Sequence, residues 1–203
     1  FGGIYRSVYL EIINKIHFEN ETFANTGIMA TTPHVSTENA TMQITGTIYN
    51  ESLKTENLIL KNTLEDRTGS EITSSKQKIK VGKGQKYPFI VNLNIIKPQL
   101  WSPESPYLYR LCSEIINEKT GVVQQKIFNS VGFRWFSVDK TGFYLNGEKI
   151  KLHGAARHQD YVGIGNAIPL EINRNDMMQL KEMGANFVRI SHYPQDPEIY
   201  RSC

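Results

Sequence analysis

The chain has 203 residues, 39% of them hydrophobic, and 23 basic against 20 acidic side chains give it a formal net charge of +3. That is enough for one full domain and part of another around a packed core. So small a charge, with no basic stripe, excludes nucleic acid as an expected partner; no run approaches the roughly 18 apolar residues of a membrane span; and Cys112 and Cys203 form neither a disulfide framework nor a metal-ligand spacing.

The sequence opens on Phe1 rather than a methionine and reads as a piece of something longer. From residue 5 to about 117 it consists of short runs rich in β-branched and aromatic residues, separated by polar or glycine-containing turns, which is all-β texture. The clearest run is 40–49, where Met42, Ile44, Gly46 and Ile48 alternate with Thr41, Gln43, Thr45 and Thr47, so that one face is buried and the other wet. Further strands are predicted over 5–16, 27–34, 57–65, 72–81, 87–95, 106–116 and 122–133, and eight such runs suit a two-sheet sandwich. Asp66-Arg67-Thr68-Gly69, Val81-Gly82-Lys83-Gly84 and Asn117-Glu118-Lys119-Thr120-Gly121 supply turns between them. Trp101-Ser102-Pro103 and Ser105-Pro106 make an extended connector that no helix tolerates.

A domain boundary is expected near Asp139, giving a sandwich over 1–138 and a second domain over 139–203. Asn146-Gly147 in the middle of Phe143 to Leu152 predicts a hairpin with a two-residue type I′ turn. Asn173 and Asp176 have the spacing of a variant capping box, which predicts a helix over 173–183 stopped by Gly184. The stretch 187–190 reads as a buried strand, and Pro197 opens a second helix. Two strand-like runs separated by a helix form a βαβ unit, and each run is followed by a polar cluster. If the strands are parallel neighbours in a barrel, Arg157, His158 and Asp160 face Arg189, Ser191 and His192 across one pocket. Such a pocket suits a polyhydroxylated ligand. The chain ends at Cys203, after two units of a fold that needs eight.

Three of the five histidines, His153, His158 and His192, lie in this C-terminal stretch. His153 and His158 are an odd number of residues apart on extended chain, so they point to opposite faces, and no second cluster completes a metal-ligand set. No metal and no cofactor are expected. His17 and His34 read as structural or solvated, and His153 as a packed or capped strand residue. Ser191 beside His192 is no catalytic dyad, because adjacent strand residues point apart and no glycine elbow surrounds the serine. Arg189 lies inside an apolar strand, where a buried guanidinium needs a carboxylate partner that this stretch does not obviously supply. Asn20-Glu21-Thr22, Asn39-Ala40-Thr41 and Asn50-Glu51-Ser52 match the glycosylation pattern, which bears only on a secretory host.

Taken together, several stretches resemble the glycoside hydrolases of family 2, which include β-galactosidases and β-glucuronidases. Phe1-Gly2-Gly3-Ile4-Tyr5-Arg6 is similar to the end of that family's N-terminal sugar-binding domain. Leu100-Trp101-Ser102-Pro103, Pro106-Tyr107-Leu108-Tyr109 and Val131-Gly132-Phe133-Arg134 resemble its sandwich. Asn146-Gly147, Gly154 to Asp160, and Arg189 with Ser191-His192-Tyr193-Pro194 resemble the opening of its catalytic barrel. The resemblance implies a mainly β chain: an immunoglobulin-like β-sandwich, followed by the first βα units of a truncated (β/α)8 barrel.

It further implies a carbohydrate substrate, with His158, Asp160 and His192 at the sugar and Arg189 supporting the nucleophile. The activity implied is that of a retaining exo-β-glycosidase. Asp160 stands where large β-galactosidases have a histidine and β-glucuronidases an aspartate, whereas Arg157 looks more like the galactosidase pattern than the usual glucuronidase lysine. A β-galactosidase is the first expectation; a β-glucuronidase, or a sandwich that itself binds sugar or protein, are the alternatives. In the family both catalytic glutamates come from later barrel strands, so no catalytic residue is expected within these 203 residues, and the piece alone is expected to be inactive. The open barrel edge is one through which a second copy could pair into a homo-oligomer.

Overall fold

A computed structural model describes residues 3–20 and 25–203. Phe1 and Gly2 of the first motif, and Glu21-Thr22 of the Asn20 glycosylation pattern, lie outside the described residues. The chain divides into two compact units, one of Phe1–Glu11, Val138–Tyr144 and Lys149–Cys203, the other of Ile12–Ser137 with Leu145–Glu148.

The larger unit is the sandwich. Its first sheet joins β1 (Ile16–Phe18), β2 (Ile28–Val35), β3 (Asn39–Asn50) and, further along the chain, β6 (Lys86–Ile96). Its second sheet uses β4 (Glu56–Glu65), β5 (Glu71–Val81), β7 (Tyr109–Asn117) and β8 (Val123–Val131), in the order β5-β4-β7-β8. The pairings of β3 with β1, β2 and β6, and of β4 with β5 and β7, are antiparallel. Period-two alternation decides what is inside: Met42, Ile44 and Ile48 of β3 and Leu58, Leu60 and Leu64 of β4 are all fully buried. Phe18, Leu111, Ile115 and Phe133 fill the space between them.

One buried pair in this core is polar. Asn62 and Ser113 face each other across β4 and β7 with no exposed surface, and the Ser113 hydroxyl donates to Asn62 Oδ1 at 2.7 Å. Tyr109 is also drawn inward, edge-on to Phe133 with ring centres 5.2 Å apart, and its hydroxyl accepts from the Gln99 amide. Burial pushes that phenol's pKa up. Tyr107 packs against Tyr109, 4.9 Å away and edge-on. These two tyrosines therefore belong to the core rather than to an exposed binding platform.

The expected strand over 5–16 is largely absent, because only Ile16–Phe18 pairs, against Asn50 to Ile48 of β3. Val8, Tyr9, Leu10 and Ile12 stand in water instead. The strand expected from 106 begins at Tyr109, since Pro106 has no amide to donate.

Three short strands, β9 (Phe136–Asp139), β10 (Gly142–Leu145) and β11 (Glu148–Ile150), form a sheet in the order β11-β10-β9. Asn146 and Gly147 join the last two with φ of 54° and 84°, the two positive values that a type I′ turn requires.

The smaller unit carries β12 (Gly154–Arg157), α1 (Leu170–Glu182), β13 (Phe187–Ile190) and α2 (Pro197–Ser202). The two strands pair in parallel, so the βαβ expectation holds. At Gly154 a Cβ would lie 1.7 Å from the Phe187 carbonyl oxygen, so only glycine lets the strands approach there. The helix α1 begins three residues earlier than its capping-box reading, after Pro169, which supplies no side-chain cap. It ends at Gly184, whose φ of 86° and amide bond to the Lys181 carbonyl close the last turn.

α2 is capped by Asp196, whose side chain accepts from the Glu198 amide. It is tied to α1 by Glu198, which accepts from Arg174 Nε at 2.6 Å and from Arg201 Nη1 at 3.2 Å.

Two outcomes follow from this packing. Leu60→Ala removes a fully buried side chain and is expected to cost the sandwich about 2–5 kcal/mol in urea unfolding, whereas Ile90→Ala, at a 68% exposed position, stays within about 0.5 kcal/mol. The Arg174 guanidinium beside Glu198 holds that carboxyl below the usual glutamate value of 4.5. A lowered folded pKa means stability that is complete above the ordinary value and lost as pH falls through the lowered one. Acid titration followed by hydrogen exchange in α2 should therefore show protection falling below about pH 4.5, and Glu198→Gln should remove that pH dependence.

Candidate functional site

The register runs from Gly154 opposite Phe187 to Arg157 opposite Ile190, and the next residues of both strands carry the polar clusters. Alternation sorts the residues after β12 to two faces; after β13 it breaks, since Arg189 and Ser191, two apart, differ in exposure. Arg157, Gln159 and Ser191 are buried, at 8%, 2% and 0% exposure, while His158, Asp160, Arg189 and His192 are exposed.

On the exposed face three of the four candidates come together. The imidazoles of His158 and His192 meet edge-on with centres 5.5 Å apart, and Tyr193 lies edge-on to His158 at 6.4 Å. Arg189 Nη2 lies 3.2 Å from His192 Nδ1. A guanidinium has only donors, so Nδ1 is the acceptor and a neutral His192 carries its proton on Nε2, leaving that N–H free to donate. The Ser191–His192 peptide is cis. Asp160, by contrast, lines a cavity of about 710 Å³ with Tyr5 and the glycine-containing loop 161–167.

Two expectations are corrected here. Arg157 does not face the histidines. Its Nε and Nη2 donate to Asp176 Oδ2 at 3.0 and 2.6 Å, Nη2 also donates to Asn173 Oδ1 at 2.7 Å, and Nη1 donates to Gln195 Oε1. It is an odd number of residues from His158 and so lies on the face turned to α1. Arg189, expected to be buried against a carboxylate, is exposed, because the apolar character of 187–190 belongs to Val188 and Ile190, while Phe187 and Arg189 share the open face.

The sequence reading also missed the side chains that support the site. Asn173 and Asp176, read as a helix cap, are three apart on one face of α1 and grip Arg157. Asp176 Oδ1 further accepts from Tyr161, whose pKa is raised chiefly by that carboxylate's charge. Gln159 is the hub of the loops: its amide donates to the Tyr193 hydroxyl at 2.8 Å, and its Oε1 accepts from the Asp196 amide at 2.7 Å. The same spacing that suggested a cap fits a same-face pair inside a helix, and the buried guanidinium one strand away was the signal to choose between them. His153 is exposed, its backbone bonded to Asn186.

Comparison with known proteins gives consistent matches along the chain. Residues 27–134 match the model described as glycosyl hydrolases family 2, and residues 136–203 match that of the same family's TIM barrel domain. A Formosa agariphila protein carrying a provisional β-glucuronidase name is 41% identical over 204 residues, which cover 100% of this chain and 23% of that protein. The β-galactosidase BoGH2A of Bacteroides ovatus is 32% identical over 202 residues, covering 99% of this chain and 23% of the relative. Among solved structures, Bacteroides uniformis β-glucuronidase 2, covalently bound to cyclophellitol-6-carboxylate aziridine, superposes with a TM-score of 0.91 at 38% identity. The match covers 94% of this chain and 23% of that one. The chain thus spans under a quarter of the length of these relatives.

The Arg157 network yields a stability outcome. Asp176→Asn leaves the buried guanidinium without its counter-charge and is expected to destabilise the strand–helix unit by about 3 kcal/mol. Faster amide exchange at Ala156 and Arg189 is the readout.

Proposed function

The chain belongs to glycosyl hydrolase family 2, and on that premise we propose that it is the scaffold and the first strands of the catalytic barrel of a retaining exo-β-glycosidase, acting on terminal β-linked sugars. The observation that carries this reading is the meeting of His158 and His192, 5.5 Å apart at the carboxyl ends of adjacent parallel strands, with Arg189 bonded to one of them. His158, Asp160 and His192 contact the sugar's hydroxyls, and Arg189 orients His192 and supports the nucleophile. The sandwich, taken to end near residue 138, supports the barrel that starts at 139.

Retaining hydrolysis needs one carboxylic acid at the leaving oxygen and one carboxylate attacking the anomeric carbon, about 5–5.5 Å apart. In the family these are glutamates of later barrel strands. The histidines therefore bind and orient; they do not perform the displacement. With its proton on Nε2, His192 donates to a ring hydroxyl and discriminates against a sugar lacking it.

For the sugar, Arg157 was the residue that leaned toward β-galactoside. Buried against α1, it does not itself read a hydroxyl, and its weight rests on the family pattern alone. Asp160 keeps the β-glucuronidase pattern, and relatives at 41% and 38% identity bear β-glucuronidase names. A β-glucuronide is the favoured substrate; the similarity to a β-galactosidase at 32% keeps β-galactoside as the second reading.

The test is a panel of aryl β-glucuronide, β-galactoside, β-glucoside and β-mannoside, offered to the polypeptide extended through its complete barrel. Turnover of the glucuronide above the rest, falling at least about 100-fold in kcat/KM on His192→Ala, is the expected outcome, with no turnover by the 203 residues alone. No turnover of any glycoside by the extended protein removes the enzymatic reading and favours a binding role.

A further inference from the structure

The segment before the sandwich contributes one side chain that reaches both loops of the site. Arg6 Nη2 donates to the Pro194 carbonyl at 2.9 Å and to Gln159 Oε1 at 3.3 Å. Pro194 lies two residues after His192, and Gln159 lies between His158 and Asp160. A single guanidinium nitrogen therefore spans the loop that follows β12 and the loop that follows β13, the two pieces of backbone from which the candidate sugar contacts project.

The bridge acts on a rigid target. Gln159 is 2% exposed, and its amide, Oε1 and Nε2 are engaged with Tyr193, Asp196 and the Asn166 carbonyl respectively. Displacing it moves His158 and Asp160 together. Tyr193 connects the same points from the other side, since its hydroxyl accepts from Gln159 and its ring lies edge-on to His158.

Stability alone is a poor account of the arginine. Its Nε is buried without an acceptor among the described residues, which offsets part of what its two hydrogen bonds gain in stability. Its neighbour Tyr5, beneath the Arg6 guanidinium at 5.4 Å, lines the cavity that Asp160 enters, so both residues of this segment stand at the site.

We propose that Arg6 is a positioning residue that sets the spacing of the His158 and His192 loops and so governs sugar binding; this rests on the sugar-binding reading of those histidines. The clasp is charge-assisted and ties the Pro194 carbonyl to the Gln159 side chain, so losing it should loosen substrate binding more than the chemical step.

The experiment uses the polypeptide extended through its barrel. For Arg6→Ala, KM for the hydrolysed aryl glycoside should rise about ten-fold while kcat changes less and the melting temperature holds. Guanidinium ion added to the variant should recover much of the loss. Arg6→Lys should recover less, because one ammonium cannot reproduce the planar fork. KM and kcat both within about two-fold of the parent overturn the proposal, as does a loss that follows the melting temperature and ignores guanidinium. The ring resonances of His158 and His192 provide a second readout that needs no turnover. They should shift in Arg6→Ala and return with guanidinium; unchanged resonances overturn the clasp, whereas failure of the glycoside panel with shifted resonances overturns the enzymatic reading alone.

Discussion

The smaller unit depends on burying one positive charge. A guanidinium taken out of water is costly unless paired and hydrogen-bonded on all sides. Arg157 meets that demand with Asp176 and Asn173 from α1 and Gln195 from the segment after β13. Gln195 Nε2 in turn donates to the Arg157 carbonyl, so side chain and backbone of the strand end are held by the same partner. One charge thereby fixes helix, strand and following loop relative to one another. That the residue beside it, His158, faces the other way is a consequence of the pleat: the more firmly Arg157 is held on the helix side, the more firmly His158 is presented on the open side.

The open face follows a complementary rule. Gly154 and Ala156 lie beside Phe187 and Arg189 across the parallel pair, small residues against large. The close approach at Gly154 leaves the Phe187 carbonyl in contact with bare backbone, and Arg189, which has only the methyl of Ala156 as its register partner, reaches His192. The site is assembled from what the strands omit as much as from what they carry.

Much of this could be read from the residues. The alternation in β3, the Asn146-Gly147 turn and the βαβ unit were legible because each depends on local pattern. The juxtaposition of His158 and His192 was legible because parallel pairing follows from the crossover helix between them. The facing of Arg157 and Arg189 was not, because it depends on the phase of alternation at strand ends, and short strands of four residues leave the phase undetermined. The 5–16 run has strand-like composition, yet composition does not supply a partner edge, and only its last residue enters a β-ladder. Arg6 had no local signal at all: its partners are 153 and 188 residues away.

The Asn62–Ser113 pair has a meaning for how the sandwich assembles. Hydrophobic alternation rejects any slip of β7 against β4 by one residue, because every side chain would change faces. It is silent about a slip by two, which returns Leu, Ile and Tyr to the interior. In that arrangement Asn62 would stand opposite Leu111 with Ser113 opposite Leu60, or opposite Ile115 with Ser113 opposite Leu64, the hydrogen bond being lost at about 1–3 kcal/mol per polar group. The Asn62–Ser113 hydrogen bond inside this largely apolar layer thus acts as a key cut for even-numbered errors, the class of mispairing that the apolar pattern itself would accept.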